Sequence, residues 1–478
     1  MSKQSNHEEL IYFLHRMAAY EQALSLMEWD AHTMGSKNSL KTRTNAIEVL
    51  TSEIYNILTS PETEELLEAN DPTTLPAPEK SALLHLQTHT KRLRNIPFKD
   101  YQAYKTQAAK AASAWSDARK KNDFSVFRPQ FDKLVAWQHE FANMQGYEEH
   151  PYDAILANHH YKMTVKAMDQ LFSNMKDTIH PLMERIKHSE HRVKTGFQYY
   201  TIPDDQQAFI ANDILKEIGF NFNSGRLDHS YQPFTLTVQE NDIRIGLPYI
   251  EENIQTGLTN LFREGGHALF EQGRSALLRS ATSTSEIEAH KILWSELIGK
   301  SQVFWDAYYE RFQHQAPKAF ADVSSDEFYE GINAAKSSII RKEANELTQP
   351  LHLQVRYELE KGIMEGKVPT RDLPGLWAEK VQKATGLTVP HDNAGILQEH
   401  HWATAQFGYS AAKAFAYVQA ASWYEQMNDA MDTFNAAGAH EWLCKYVYDD
   451  EQFPSPGQYD GRAFTRYLEN KYTSIYRI

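Results

Sequence analysis

A mainly α-helical body carrying one small antiparallel β-sheet is the fold class the sequence predicts. Three observations predict it. Most of the 478 residues follow helical periodicity, strand signals are confined to three short stretches, and no Pro/Gly/Ser linker or charge block divides the chain. Residues 1–478 are therefore read as one helical domain with no separable second one.

The elements follow in order. Apolar residues recur at three- and four-residue steps over 7–30, 40–58, 98–120, 125–145 and 165–190, which predicts amphipathic helices. The same pattern runs over 326–363, 371–386 and 409–432. Breaks are expected at Pro61, over the proline-rich 71–78 and over 221–224. The aromatic and β-branched run 197–202 reads as a strand. Residues 234–238 and 243–247 read as two more, joined through Gln239-Glu240-Asn241-Asp242 as a hairpin.

Composition narrows the function classes. Lys and Arg total 49 against 63 Asp and Glu, a net charge of −14, so a basic nucleic-acid-binding face is not expected. The polar start, 1–9, is followed by no apolar signal-peptide core, and no apolar run reaches the length of a membrane span. The single cysteine, Cys444, excludes an internal disulfide and a cysteine metal cluster, and it reads as a small buried hydrophobe. A cytoplasmic protein is the expectation.

The stretch that carries chemistry is Arg263-Glu264-Gly265-Gly266-His267, inside an apolar helical run. In His-Glu-x-x-His, two histidines at i and i+4 share a helix face and grip zinc, and the glutamate is the general base. Here Glu264 and His267 keep those places and Arg263 takes the first. A guanidinium has no lone pair to give a cation and does not lose its proton.

Other text along the chain places this motif. It includes Met27-Glu28-Trp29-Asp30, 146–153 (Gly-Tyr-Glu-Glu-His-Pro-Tyr-Asp), Gly225-Arg226-Leu227-Asp228 and Leu293-Trp294. Further on come Ile340-Arg341, 356–360, 372–377, His401-Trp402 and Phe407-Gly408-Tyr409. With these markers in order, the chain resembles the carboxypeptidase Taq family of His-Glu-x-x-His zinc carboxypeptidases over nearly its full length. The resemblance implies a helical body split by a long groove, a site at the groove floor beside the sheet, and a homodimer.

It also implies residue roles. The third zinc ligand, counted back from Leu293-Trp294, falls at Glu288; the flanking histidine and serine of that motif are Ile287 and Ala289 here. His267 and Glu288 thus remain of three ligands, and His290 is the candidate to rescue the set. The family's His-Pro-Phe is Gln232-Pro233-Phe234, and its Asp-x-Arg-x-Thr keeps Arg244 but has Gly246 for the threonine. Its Ile-Arg-x-x-Ala-Asp ends in Asn345, and its Gly-Tyr-Phe-Pro-Thr-Tyr has Lys413 for the last tyrosine. Arg356 is expected to hold a substrate carboxylate, the alternative being an i, i+4 ion pair with Glu360. His401 is a substrate-side candidate or a packed polar turn, and His159-His160 reads as surface loop.

Three readings follow. In the first, zinc peptidolysis is lost and the groove takes a small peptide or amino-acid conjugate. There Glu264 is acid/base, and Arg263 and Lys413 stabilise an anion electrostatically. In the second, the protein binds without turnover, as a pseudopeptidase or scaffold. In the third, a rescue ligand restores zinc or another divalent metal; otherwise no cofactor is expected. Arg263 is expected to turn inward and pair with Glu288 or Glu264, the alternative being a side chain extended along the groove wall to solvent.

Overall fold

The computed structural model describes residues 3–33, 35–159, 163–250, 253–275, 282–448 and 460–478. Helices dominate, and a three-stranded sheet is inserted before the motif helix. Strand β1 is Gly225–His229, β2 is Phe234–Gln239 and β3 is Asp242–Leu247. The order is β1-β3-β2, with β2 antiparallel to β3 as the hairpin signal predicts. β1 runs parallel to β3, pairing Gly225 with Ile243 through His229 with Leu247, so the sheet is mixed rather than antiparallel. Its Gly-Arg-Leu-Asp text gave no strand signal because only Leu227 is apolar.

The helical periods place most helices within a few residues: Lys3–His32, Leu40–Thr59, Phe98–Lys121, Val165–His188, Leu373–Thr385 and Tyr409–Ala430. Two expectations fail. The run at 197–202 is a 3₁₀ turn, Gly196–Tyr199. Phe197 is buried against Phe328, with ring centroids 5.3 Å apart, while Tyr199 and Tyr200 are exposed, and the backbone closes turn bonds instead of meeting a strand. The long helix at 326–363 is two, Ser325–Ile332 and Gln349–Met364. Pro350, in the first turn of the second, cannot sit inside a continuous helix. Asn345 organises the break: its side-chain oxygen accepts from Leu347 N and Thr348 N, each at 3.2 Å, and its amide donates to Ala334 O at 3.1 Å.

The core is in two parts. Residues from Ala111 to Tyr476 form the larger cluster, and Leu10, Leu14, Leu58, Leu67 and Leu83 belong to a smaller one among the first helices. The Lys3–His32 helix meets the sheet through Trp29, whose ring centroid is 5.2 Å from that of Phe234. Cys444 is exposed, not buried, although its neighbour Leu443 is in the core. Among the described residues no helix is long and apolar enough to cross a membrane.

Candidate active site

The motif lies on the helix Ile254–Gly273, capped by the Asn253 side chain, which accepts from Thr256 N at 3.0 Å. Leu258, Leu261, Phe262, Leu269 and Phe270 bury its apolar face, at about 1.5–3 kcal/mol for each large side chain. Two adjacent glycines inside a helix are costly, roughly 1 kcal/mol each relative to alanine. Packing explains them. A Cβ on Gly266 would stand 2.5 Å from Trp294 Cδ1, and one on Gly265 would stand 2.9 Å from Leu215 Cδ2. The glycines let the motif helix press against the next helical segment, which carries Glu288.

That segment starts with a capping box, Ser283 with Glu286, and runs as α-helix over Thr284–Ile292. It continues as a π-helical turn over Leu293–Ile298, a geometry that often marks functional sites. A third helix, Tyr409–Ala430, begins at Gly408, whose φ of +83° is left-handed and suits glycine. Tyr409 and Lys413, four apart, lie on one face of it.

Arg263 turns inward. Its Nη2 donates to both carboxylate oxygens of Glu288, at 2.7 and 2.6 Å. Lys413 Nζ lies 3.9 Å from the same carboxylate, and the Tyr409 hydroxyl also bonds it. Burial would raise the Glu288 pKa, but Arg263, then Lys413 and Lys291, outweigh it and hold Glu288 far below the usual carboxylate range. Burial also penalises the Arg263 charge, and Glu288 outweighs it, so the guanidinium is held still more firmly protonated. The Lys413 ammonium is pushed down to about 7 by burial and by Arg263, against the pull of Glu288.

Glu264 is held separately. Lys291 Nζ is 3.3 and 3.2 Å from its two oxygens, and Thr235 on β2 shares its hydroxyl proton between Oε2 at 3.0 Å and the Glu264 carbonyl at 2.9 Å. Thr237, two residues along the strand and so on the same face, donates to Glu271 at 2.8 Å. β2 thus lies along the motif helix and fixes two of its acids. His267 Nε2 is 3.8 Å from Glu271 Oε1, and its buried Nδ1 has no hydrogen-bond partner among the described residues. Burial, then Lys291, keeps this imidazole neutral.

His290 does not complete a ligand set. It is wholly buried, sandwiched between Phe270 at 4.1 Å and Trp423 at 4.7 Å between ring centroids. The reason is helical: two residues from Glu288, it points away from the shared face.

The expected carboxylate receptor is placed differently from the expectation. Arg356 is only 1% exposed, with Nε 2.5 Å from Glu399 Oε2, so its partner is neither a groove ligand nor Glu360. Glu360 instead accepts from Tyr152, Trp402 Nε1 and Gly408 N at 2.5, 2.6 and 2.7 Å. The guanidinium nearer solvent is Arg341, at 12% exposure; its Nη2 donates to His400 Nδ1 at 2.9 Å. His401 Nδ1 lies 2.7 Å from Glu399 Oε1, as suits an N–H donating to the carboxylate, and its ring stacks on Tyr409 at 3.8 Å. Tyr409 therefore joins the Glu288 and Glu399 corners.

Gln232 is exposed on the loop between β1 and β2. Arg244 pairs with Asp242 at 2.9 and 2.7 Å and lies over the Trp29 ring, facing the first helix. The structure thus brings together Arg263, Glu264, His267, Glu288 and Lys413, with His401 across Tyr409, and directs the Arg244 side chain elsewhere. His159 is not a surface residue: its Nε2 meets Phe407 O at 2.6 Å, while His160 lies outside the described residues. Sequence reasoning missed Lys291, Thr235, Arg341 and Glu399. Lys291 stands one helical turn after Glu288, the one signal that could have found it.

The motif corner does not fit a zinc ion. Such a site needs three converging protein lone pairs, and the first of the three positions holds a guanidinium bonded to the third. Among the described residues the grouping with three close metal donors is Glu399, His400 and His401. There Arg341 takes the His400 lone pair and Arg356 takes the carboxylate, so that trio does not fit one either.

The carboxypeptidase Taq (M32) metallopeptidase family model matches residues 9–472. Carboxypeptidase 1 of Bacillus subtilis (strain 168) is 34% identical, covering 98% of this chain and 99% of that protein. Thermostable carboxypeptidase 1 of Thermus thermophilus is 28% identical over the full length of both. The crystal structure of the M32 carboxypeptidase of Deinococcus radiodurans R1 superposes with a TM-score of 0.92 at 25% identity, over 99% of this chain and 100% of that one.

Proposed function

The chain belongs to the carboxypeptidase Taq (M32) metallopeptidase family, and from that premise we propose that its groove binds the C-terminal end of a peptide or amino-acid conjugate without zinc peptidolysis. The observation that carries this reading is the Arg263 guanidinium bonded to both oxygens of Glu288. It replaces one ligand and consumes another. Arg341 is the guanidinium we assign to the ligand's terminal carboxylate, because it reaches solvent where Arg356 does not. A cytoplasmic location and a homodimer, both expected of the family, belong to the same reading.

Turnover without metal is the second reading, favoured by the convergence of Arg263 and Lys413 on one carboxylate. Two fixed cations could stabilise an anionic intermediate, with Glu264 as acid/base. The Lys291 and Thr235 contacts, which occupy both Glu264 oxygens, weigh toward binding alone.

One experiment separates these. Acyl-dipeptides with a free or an amidated C-terminus are titrated against the full chain, and products are followed by mass spectrometry in the presence of a chelator. The proposal expects binding of the free acid, weaker binding of the amide and no chelator-sensitive cleavage. Cleavage that chelator abolishes contradicts it, and chelator-insensitive cleavage moves the weight to the second reading.

A further inference from the structure

Exposure sorts the site by charge. The side chains of Arg263, Lys291, Lys413 and Arg341 are 20, 15, 15 and 12% exposed, while Glu264 and Glu288 are 3 and 7% exposed. The acids lie behind and the bases in front. Four cations face two carboxylates here, since Arg356 and Glu399 neutralise each other behind Arg341. Glu271, a turn further along, is held by Thr237 and stands near Glu286, and Glu296 belongs to Lys300, with Nζ to carboxylate at 2.5 Å. The groove floor is therefore positive within a chain of net charge −14. A small cationic patch in an acidic protein focuses its field on ligands of opposite charge.

One ligand carboxylate, held at Arg341, leaves the Arg263–Lys413–Lys291 side still short of negative charge. We propose that the ligand carries a second carboxylate on its terminal residue, so that the groove selects peptides or conjugates ending in aspartate or glutamate. This rests on the reading that the groove binds carboxyl ends. The side-chain carboxylate would meet Lys413, whose only carboxylate in ion-pair range, Glu288, is 3.9 Å away and already holds Arg263. Lysine supplies this as a rotatable point charge rather than a planar fork.

The test titrates the full chain with N-acetyl-Ala-Glu, the isosteric N-acetyl-Ala-Gln and the α-amide of each, by calorimetry at low and high salt. Glu-terminated acid should bind roughly tenfold tighter than its Gln partner, as one charge-assisted contact allows. That advantage should shrink in salt, fall in Lys413→Met and persist in Lys413→Arg, with melting curves confirming that both variants fold. Equal binding of the Glu and Gln acids, with both amides weaker, overturns the dianion inference and leaves the carboxyl-end reading standing. Amides binding as well as acids removes that reading and this inference with it. A Glu preference that survives Lys413→Met unchanged also overturns the assignment.

Discussion

Arg263–Glu288 and Arg356–Glu399 are the same chemical pair in two settings. Each is a guanidinium within about 3 Å of a buried carboxylate, an ordinary charge-assisted distance. Arg356 and Glu399 are each 1% exposed, shut behind Arg341 and His401. Arg263 is 20% exposed and shares Glu288 with Lys413 and Tyr409. A sealed pair can only hold the fold, because no ligand reaches it. A pair with one edge open, flanked by a second cation, neutralises its own acid and still presents charge outward. Family position suggested the opposite: Arg356 as the receptor and Arg263 as the defect.

Breaking the sealed pair should have the larger effect. Arg356→Ala leaves Glu399 buried with Arg341 3.9 Å away, and a loss of about 3–5 kcal/mol in denaturant unfolding is expected. Arg263→Met should cost less, about 1–3 kcal/mol, because Lys413 and Tyr409 remain on Glu288. A larger loss for Arg263→Met than for Arg356→Ala would reverse the comparison.

The pH dependence sharpens it. Lys413 titrates near 7 in the folded chain, from burial and Arg263, and in the ordinary lysine range, about 10.4, when unfolded. Between those values the unfolded chain binds more protons, so this group makes stability rise with pH across the window and contributes no slope below it. Urea midpoints for wild type and Lys413→Met should therefore diverge in slope between neutral pH and about 10. Parallel curves would remove Lys413 from the buried set. The smallest effect is expected for the exposed Gln232: Gln232→Ala should change stability by no more than about 0.5 kcal/mol.

The helices were legible because each buries one face, and period carries that information. The β2–β3 hairpin was legible from its turn. β1 was not, because its pairing with β3 is parallel and made across the sequence, with little apolar alternation of its own. The split at 333–348 had a visible signal, Pro350, that the long apolar period outweighed. At the site, the inward turn of Arg263 could be read from a cation placed among acids that must be neutralised. Which arginine is sealed could not, because Glu399 lies 43 positions from Arg356 and neither burial nor partner follows from spacing. Lys291 on Glu264 and Arg341 on His400 are contacts of the same kind.

The central claim is that Arg263 stands where a metal ligand would, and zinc stoichiometry tests it most directly. Full-length wild type, Arg263→His and His267→Ala are equilibrated with zinc, desalted and analysed for metal. The account predicts far less than one zinc per chain in wild type and a rise toward one in Arg263→His. One tightly held zinc per wild-type chain, lost in His267→Ala, would contradict it.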